Sequence, residues 1–203
     1  MRELVTNCKV YDFGEAVEAC HLPMVDVYDP SKFEINNYND AHKNTAIRLA
    51  SNPTDSGHMS FLKLITVNMN VTATIKWWEQ AQRYTHFDIG SSMSTMHGIL
   101  SKRLKPEFHE NTPEEIVEEF NALYARYLKG DLIYSHILYS IPAGLLLTAR
   151  CTTNYLQLRT IYSQRRNHSL PEWKEFCDWI RSLPRAKEFI TGYIDNNSYS
   201  DSE

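Results

Sequence analysis

Glycine is scarce in this chain and wrongly placed for a phosphate loop. There are seven glycines in 203 residues, and none falls in a G-x-G-x-x-G or G-x-x-x-x-G-K-S/T pattern. Those loops work by presenting backbone N–H groups to phosphate at a helix start. Without them, the two commonest nucleotide-binding folds are excluded. If the chain binds a nucleotide, it must do so with side chains.

Periodicity gives an α/β (α+β) reading in one domain, 1–203. A central, mostly antiparallel sheet is flanked by helices, and the second half is dominated by helix. Leu4–Tyr11 reads as a strand and Gly14–Cys20 as a short helix. Val25–Asn37 reads as loop, Asp40–Ser51 as helix, and Asn52–Gly57 as its stop. Phe61–Thr72 alternates with β-branched residues and predicts a strand, followed by a helix over Ala73–Tyr84. Thr85–His97, rich in hydroxyls and small residues, predicts a loop that wraps a polar ligand. Glu107–Thr112 reads as a linker. Thr112-Pro113-Glu114-Glu115 predicts a capped start for a helix whose apolar face carries Ile116, Phe120, Leu123, Tyr124 and Tyr127. Leu132–Ser140 and Asn154–Arg165 read as helices, Leu145–Cys151 as strand or helix, and Ser169–Glu172 as a capping box opening Pro171–Ser182. The polar end, 195–203, predicts a disordered tail.

Composition narrows the function classes. The net charge of −4 gives no global basic field for a nucleic-acid polymer, although a local cluster could still hold one nucleotide. Cys8, Cys20, Cys151 and Cys177 are scattered, with no C-x-x-C, as expected of reduced thiols. The eight histidines show no ligand spacing, so no metal site is expected. The start, Met1-Arg-Glu-Leu-Val, lacks the apolar core of a signal peptide, and the longest apolar run, Ile141–Ala149, is too short to span a bilayer. A cytoplasmic protein that does not engage membranes is the expectation.

Two spacings could carry chemistry. Lys76, Gln80, Arg83 and Tyr84 fall near one side of a helix, a face that could hold an anion and hydrogen-bond a planar base. The same face could simply be solvated, with Trp77 and Trp78 packed behind it. Asn154 and Arg165 lie eleven residues apart, nearly three helical turns and roughly 16 Å along the axis. Leu158, Ile161 and Tyr162 lie between them, suiting either an elongated ligand or a packing seam. Ser91, His97 and Asp88 could be drawn as a triad, but there is no G-x-S-x-G elbow and a serine hydrolase is not expected.

Together these clusters resemble the flavin-dependent thymidylate synthases over about residues 58–175. His58, the strand, Gln80 and Arg83 follow that family's order and spacing, as do Ile141-Pro142, Asn154, Leu158 and Arg165, with Glu172 in the next helix. Other positions depart. The family's His-Arg after Arg83 is Tyr84-Thr85, its Ser is Asp88 and its Asn is Gly90. Its Ser-x-Arg-Tyr becomes Met93-Ser94-Thr95-Met96, or Ser94-Thr95-Met96-His97 with one insertion. Leu156 and Leu138 stand where arginines are expected.

The resemblance implies a homotetramer with sites shared between subunits. The aromatic load of Trp77, Trp78, Tyr155 and Tyr162, large for one small core, points to an oligomer as well. The implied activity is C5 methylation of dUMP, with FAD as cofactor and folate and NADPH as co-substrates. The implied roles are Arg165 facing the pyrimidine; Gln80, Ser91 and Ser94 at the substrate; and His58, Arg83, Tyr84, Thr85 and Asn154 at the flavin. The missing arginines imply that FAD is weakly held or absent. Pyrimidine C5 hydroxymethylation, or a non-catalytic nucleotide-binding or oligomerising relative, are the alternatives.

Overall fold

The computed structural model describes residues 2–32, 40–53 and 56–197. Four antiparallel strands form one sheet in the order β1-β2-β4-β3. They are β1 (Val5–Tyr11), β2 (Thr66–Thr74), β3 (Asp88–Ser92) and β4 (Leu146–Asn154). Nine α-helices accompany them among the described residues. These are α1 (Phe13–Ala19), α2 (Asp40–Ala50), α3 (Ile75–Ala81), α4 (Thr95–Leu100), α5 (Glu114–Lys129), α6 (Tyr134–Tyr139), α7 (Tyr155–Arg165), α8 (Pro171–Ser182) and α9 (Gly192–Asn197).

The alternation of β2 builds the sheet's buried face. Val67, Met69 and Val71 are wholly buried and stand opposite Thr153, Cys151 and Ala149 of β4. α7 and α8 cover this face, with Tyr155, Leu158, Ile161, Tyr162, Trp173 and Phe176 in the same core. The opposite face is polar. There Arg150 donates from Nη1 to Asn7 O at 2.9 Å and to Asn70 Oδ1 at 3.2 Å. A second apolar cluster joins α4, α5 and α6 through Ile99, Phe120, Tyr124, Tyr127 and Ile137. It is tied to the sheet by backbone bonds from Leu146 N to Glu107 O (2.8 Å) and from His109 N to Gly144 O (3.0 Å). Gly144 is required there, because a Cβ would come within 2.1 Å of Thr112 Oγ1.

Several local expectations are corrected. The second strand begins at Thr66, not Phe61. Phe61 and Leu62 are both buried, which a two-residue alternation forbids, and Ser60–Lys63 form a 3-10 turn. The stretch 85–97, expected as loop, holds β3 and the start of α4. Thr112 does not cap α5: Pro113 occupies the cap, without a side-chain bond, and Ile116 is exposed at the first turn, beyond the edge of the second cluster. Gly130, at φ 91°, closes that helix. The capping box at Ser169 is also absent. Leu170 stands at the cap of α8, and Glu172 is buried, accepting from Thr74 N at 3.1 Å. Of the expected tail, residues 195–197 are helical, and Asp195 accepts from the Tyr162 hydroxyl at 2.8 Å. Residues 198–203 lie outside the described residues, as do 33–39, which include part of the expected loop, and 54–55 of the expected helix stop.

Candidate functional site

Two helix starts are fixed by capping. The Thr74 hydroxyl accepts from Trp77 N at 3.1 Å and opens α3. The Asn154 side chain accepts from Gln157 N at 2.9 Å and opens α7. These caps set the phase of both helices, so that Gln80, near the end of α3, meets Arg165, the last residue of α7. Arg165 Nη1 donates to Gln80 Oε1 at 3.0 Å, and Arg165 Nε donates to the Tyr84 hydroxyl at 2.8 Å. Gln80 Oε1 also accepts from Trp173 Nε1 at 2.9 Å. The guanidinium lies 4.9 Å from the Trp173 ring centroid and 5.7 Å from that of Tyr84. Tyr84 completes the cluster by donating to Gln164 Oε1 at 3.0 Å.

The arrangement aims a cation. Two N–H groups of the guanidinium, on Nε and Nη1, are spent on Tyr84 and Gln80, and the Trp173 indole packs against it. Among the described residues it forms no ion pair. Nη2 has no hydrogen-bond partner among the described residues, and no carboxylate neutralises the charge. A planar, delocalised cation held this way suits a carbonyl edge or an anion. Orientation is settled before a ligand arrives, which lowers the entropy lost on binding.

Not every expected member joins. Lys76 turns away to pair with Glu79 at 3.0 Å. α3 ends at Ala81, so Arg83 lies beyond it and is exposed; its side chain has no partner among the described residues. Thr85 and His58 are exposed, and neither belongs to the Arg165 cluster. Ser91 stands opposite Arg150 across the β3–β4 pair, next to the bulge at Gly90. Ser94 caps α4, accepting from His97 N at 3.1 Å. Leu158, Ile161 and Tyr162, between Asn154 and Arg165, are wholly buried: the stretch is a packing seam and not a ligand groove. Trp173 and Gln164 do not stand out in the sequence. The bond from Trp173 to Gln80 spans 93 residues.

No protein-family model matches the chain, and no curated protein matches it. Solved structures do. Thymidylate synthase X (ThyX) from Helicobacter pylori, crystallised with FAD and dUMP, superimposes with a TM-score of 0.71 at 14% identity, covering 94% of this chain and 98% of that one. A second structure of the same H. pylori enzyme with FAD and dUMP gives 0.70 at 13%, covering 92% and 97%. This chain has the ThyX fold. At such identity the likeness concerns the fold alone, so any chemistry has to be argued from the side chains that this chain places on it. Among the described residues, no helix is long and apolar enough to cross a membrane.

Proposed function

We propose that this chain is a thymidylate-synthase-like protein that binds a pyrimidine deoxynucleotide, with the base against Arg165. The observation that carries the reading is the preset guanidinium. It is fixed by Gln80 and Tyr84, backed by Trp173 and left without an acidic partner among the described residues. The reaction belonging to this reading is methylation of dUMP at C5, with reduced FAD as hydride source and folate as carbon source. In it Arg165 would hold the pyrimidine, Gln80 and Tyr84 would keep Arg165 oriented, and Ser91 and Ser94 would approach the substrate from the β3–α4 side.

The side chains present do not fit a tightly clamped flavin dinucleotide. A pyrophosphate needs several donors, and two of the five residues expected to serve, Asn154 and Tyr84, are otherwise engaged. The Asn154 side-chain oxygen caps α7 and the Tyr84 hydroxyl bonds Arg165 and Gln164. Leu156 packs against the core. Of the expected flavin set, that leaves Arg83 as a cation without a partner among the described residues, with the exposed carboxylate of Asp88 five residues on. This favours a second reading, a nucleotide-binding relative that no longer retains flavin.

Calorimetric titration with dUMP, with and without added FAD, tests the proposal. Binding of dUMP that Arg165→Ala weakens supports it. No heat of binding under either condition overturns it. An absorbance spectrum of the purified protein then separates the flavin-bearing reading from the flavin-free one.

A further inference from the structure

A hollow of about 380 Å³ lies where the chain's start, the 107–110 linker and the first turn of α8 meet. Its walls carry four carboxylates, Glu107, Glu110, Glu172 and Glu175. Arg2 is the one fixed cation that lines it, and Arg2 pairs with Glu107. Three carboxylates therefore line the hollow without a cationic partner among the described residues. Leu4, Phe108 and Leu146 add apolar surface.

Backbone bonding brings these groups together. Glu172 and Glu175 stand three residues apart near the start of α8 and so share one side of it. Leu4 N donates to Glu175 Oε1 at 3.0 Å and ties the chain's start to that helix. Leu146 N donates to Glu107 O at 2.8 Å and His109 N to Gly144 O at 3.0 Å, which holds the linker beside the start of β4. Glu172 is the decisive member. It is only 3% exposed, its Oε1 accepts from Thr74 N at 3.1 Å, and its Oε2 has no hydrogen-bond partner among the described residues. A buried carboxylate with a single neutral donor is costly until a cation reaches it. The helix start favours an acidic residue at this position, but that field does not account for Glu110, which belongs to a separate element. Among the described residues, no three carboxylate, imidazole or thiol groups come together in a way that could hold a metal ion. The negative charge is therefore spread around the hollow and not focused on one point.

We infer that this hollow binds an organic polyammonium, a flexible chain with two or more protonated amines. Each ammonium is a donor-only cation, and the unpartnered oxygen of Glu172 and the carboxylates of Glu110 and Glu175 are acceptor-only anions. The methylenes between two amines match the apolar surface of Leu4 and Leu146. The Phe108 ring offers a face to a cation. Charge spread over several carboxylates suits a chain with separated charges better than a compact ion. The inference does not rest on the Arg165 reading, because the two clusters share no residue.

The test is calorimetric titration of the full chain with the diamine putrescine, with butylamine and with magnesium chloride, at low and at physiological salt. Putrescine should bind saturably and at least tenfold more tightly than butylamine, which carries one charge. The double variant Glu110→Gln with Glu175→Gln should weaken putrescine binding at least tenfold, while Arg165→Ala leaves it unchanged. Glutamine keeps an oxygen at position 175 to accept from Leu4 N, so the fold should be retained, and circular dichroism checks that it is. No saturable binding of putrescine, or equal affinity in wild type and double variant, overturns the site. Butylamine binding as tightly as putrescine, or magnesium binding more tightly than either amine, overturns the polyammonium as its occupant. Failure of dUMP to bind while putrescine still does would sink the nucleotide reading and leave this one standing.

Discussion

The Tyr84 hydroxyl accepts from Arg165 Nε at 2.8 Å, joining two residues 81 positions apart. The same oxygen donates to Gln164 at 3.0 Å, so the phenol is fixed on both sides. A tyrosine used this way positions a guanidinium and is not itself free to meet a ligand.

Arg165→Ala should therefore remove both charge and direction. If a pyrimidine nucleotide binds, the loss expected is about 1.5–3 kcal/mol, the scale of a hydrogen bond to a charged group. Arg165→Lys should rescue little, because an ammonium cannot reproduce the planar fork that reaches Gln80 and Tyr84 while leaving an edge for ligand. Tyr84→Phe keeps the ring and loses only the acceptor, so its effect should be smaller than that of the alanine. Calorimetry ranks the three. Unchanged affinity in Arg165→Ala would remove that residue from the site.

The second prediction concerns Arg159, a wholly buried cation in the middle of α7. Its Nη1 donates to Ala50 O at 2.6 Å and its Nη2 to Asn52 O at 2.8 Å, satisfying carbonyls at the C-terminal end of α2, where positive charge is favoured. The ring of Tyr193 lies 5.1 Å from the guanidinium. Arg159→Met keeps much of the volume but leaves those carbonyls without a donor. A destabilisation of about 1–3 kcal/mol is expected. Urea unfolding measures it, with Arg126→Met on the exposed face of α5 as a control that should change little. Equal midpoints for wild type and Arg159→Met would show that the carbonyls find other partners.

How far the sequence can be read depends on which residues face the core. β2 is legible because Val67, Met69 and Val71 all turn inward, and its start is misplaced because two neighbouring apolar residues, Phe61 and Leu62, are both buried in a turn. β3 leaves no alternation to read: it is an edge strand of largely exposed residues, with only Ile89 packed against the core. The spacing of Gln80 and Arg165 is visible, since each reports a helix phase. That they meet is not visible, because it depends on α8 bringing Trp173 under both. The two misread caps share one cause. Thr112 and Glu172 have capping chemistry, but each is set against a distant partner, Gly144 in one case and Thr74 in the other.

The third prediction concerns alkaline stability. Burial pushes the thiol of Cys20 up to about 11 and those of Cys151 and Cys177 up to about 12. Burial, followed by Asp195, pushes the Tyr162 phenol up to about 12. In each case the folded value lies above the unfolded one, so the folded state retains protons that the unfolded chain releases. The associated stability is complete below the unfolded thiol value, about 8.5, and is lost as pH rises toward the folded values. Melting temperature should be flat from about pH 7 to 8 and fall progressively above about pH 9. Cys151→Ala should shallow that fall. A melting temperature that holds steady through about pH 11 would contradict the protonated, buried state of these groups. The same protonation makes the three buried thiols slow toward alkylating reagents at neutral pH.

Assembly is the fourth. The aromatic residues Trp77, Trp78, Tyr155 and Tyr162 are all buried within one chain, so they no longer argue for a partner. The apolar side chains left on the surface include a cluster in sequence, Leu22, Met24, Val25, Val27 and Tyr28, and Tyr139 at 86% exposure. Covering them is the physical incentive for association. A homotetramer with dihedral symmetry is expected. Light scattering at micromolar concentration checks it, and a monomer mass would remove any site shared between subunits.

The last prediction concerns flavin. Thr85 and Asp88 are exposed between α3 and the first residues of β3, in the stretch where the thymidylate synthase resemblance calls for an arginine and a serine. Thr85 offers one hydroxyl in place of a guanidinium, and Asp88 places a negative charge where a phosphate would be repelled. Each missing charged hydrogen bond to a phosphate weakens binding by about 1.5–3 kcal/mol, and a tenfold change in affinity is only about 1.4 kcal/mol. Two such deficits turn a micromolar site into one that does not survive purification. The protein should therefore purify with substoichiometric FAD. The double change Thr85→Arg with Asp88→Ser adds a cation and removes an anion at exposed positions, so it should tighten FAD binding in an absorbance or fluorescence titration without altering the fold. Arg83, the exposed guanidinium just beyond α3, should act with it: Arg83→Gln in the double-variant background should reverse much of the gain. A wild type that retains a full complement of FAD would mean that backbone and hydroxyl groups of residues 85–97 hold phosphate without the missing arginines. A double variant no better than wild type would place this stretch away from any flavin and favour the nucleotide-binding reading without the cofactor.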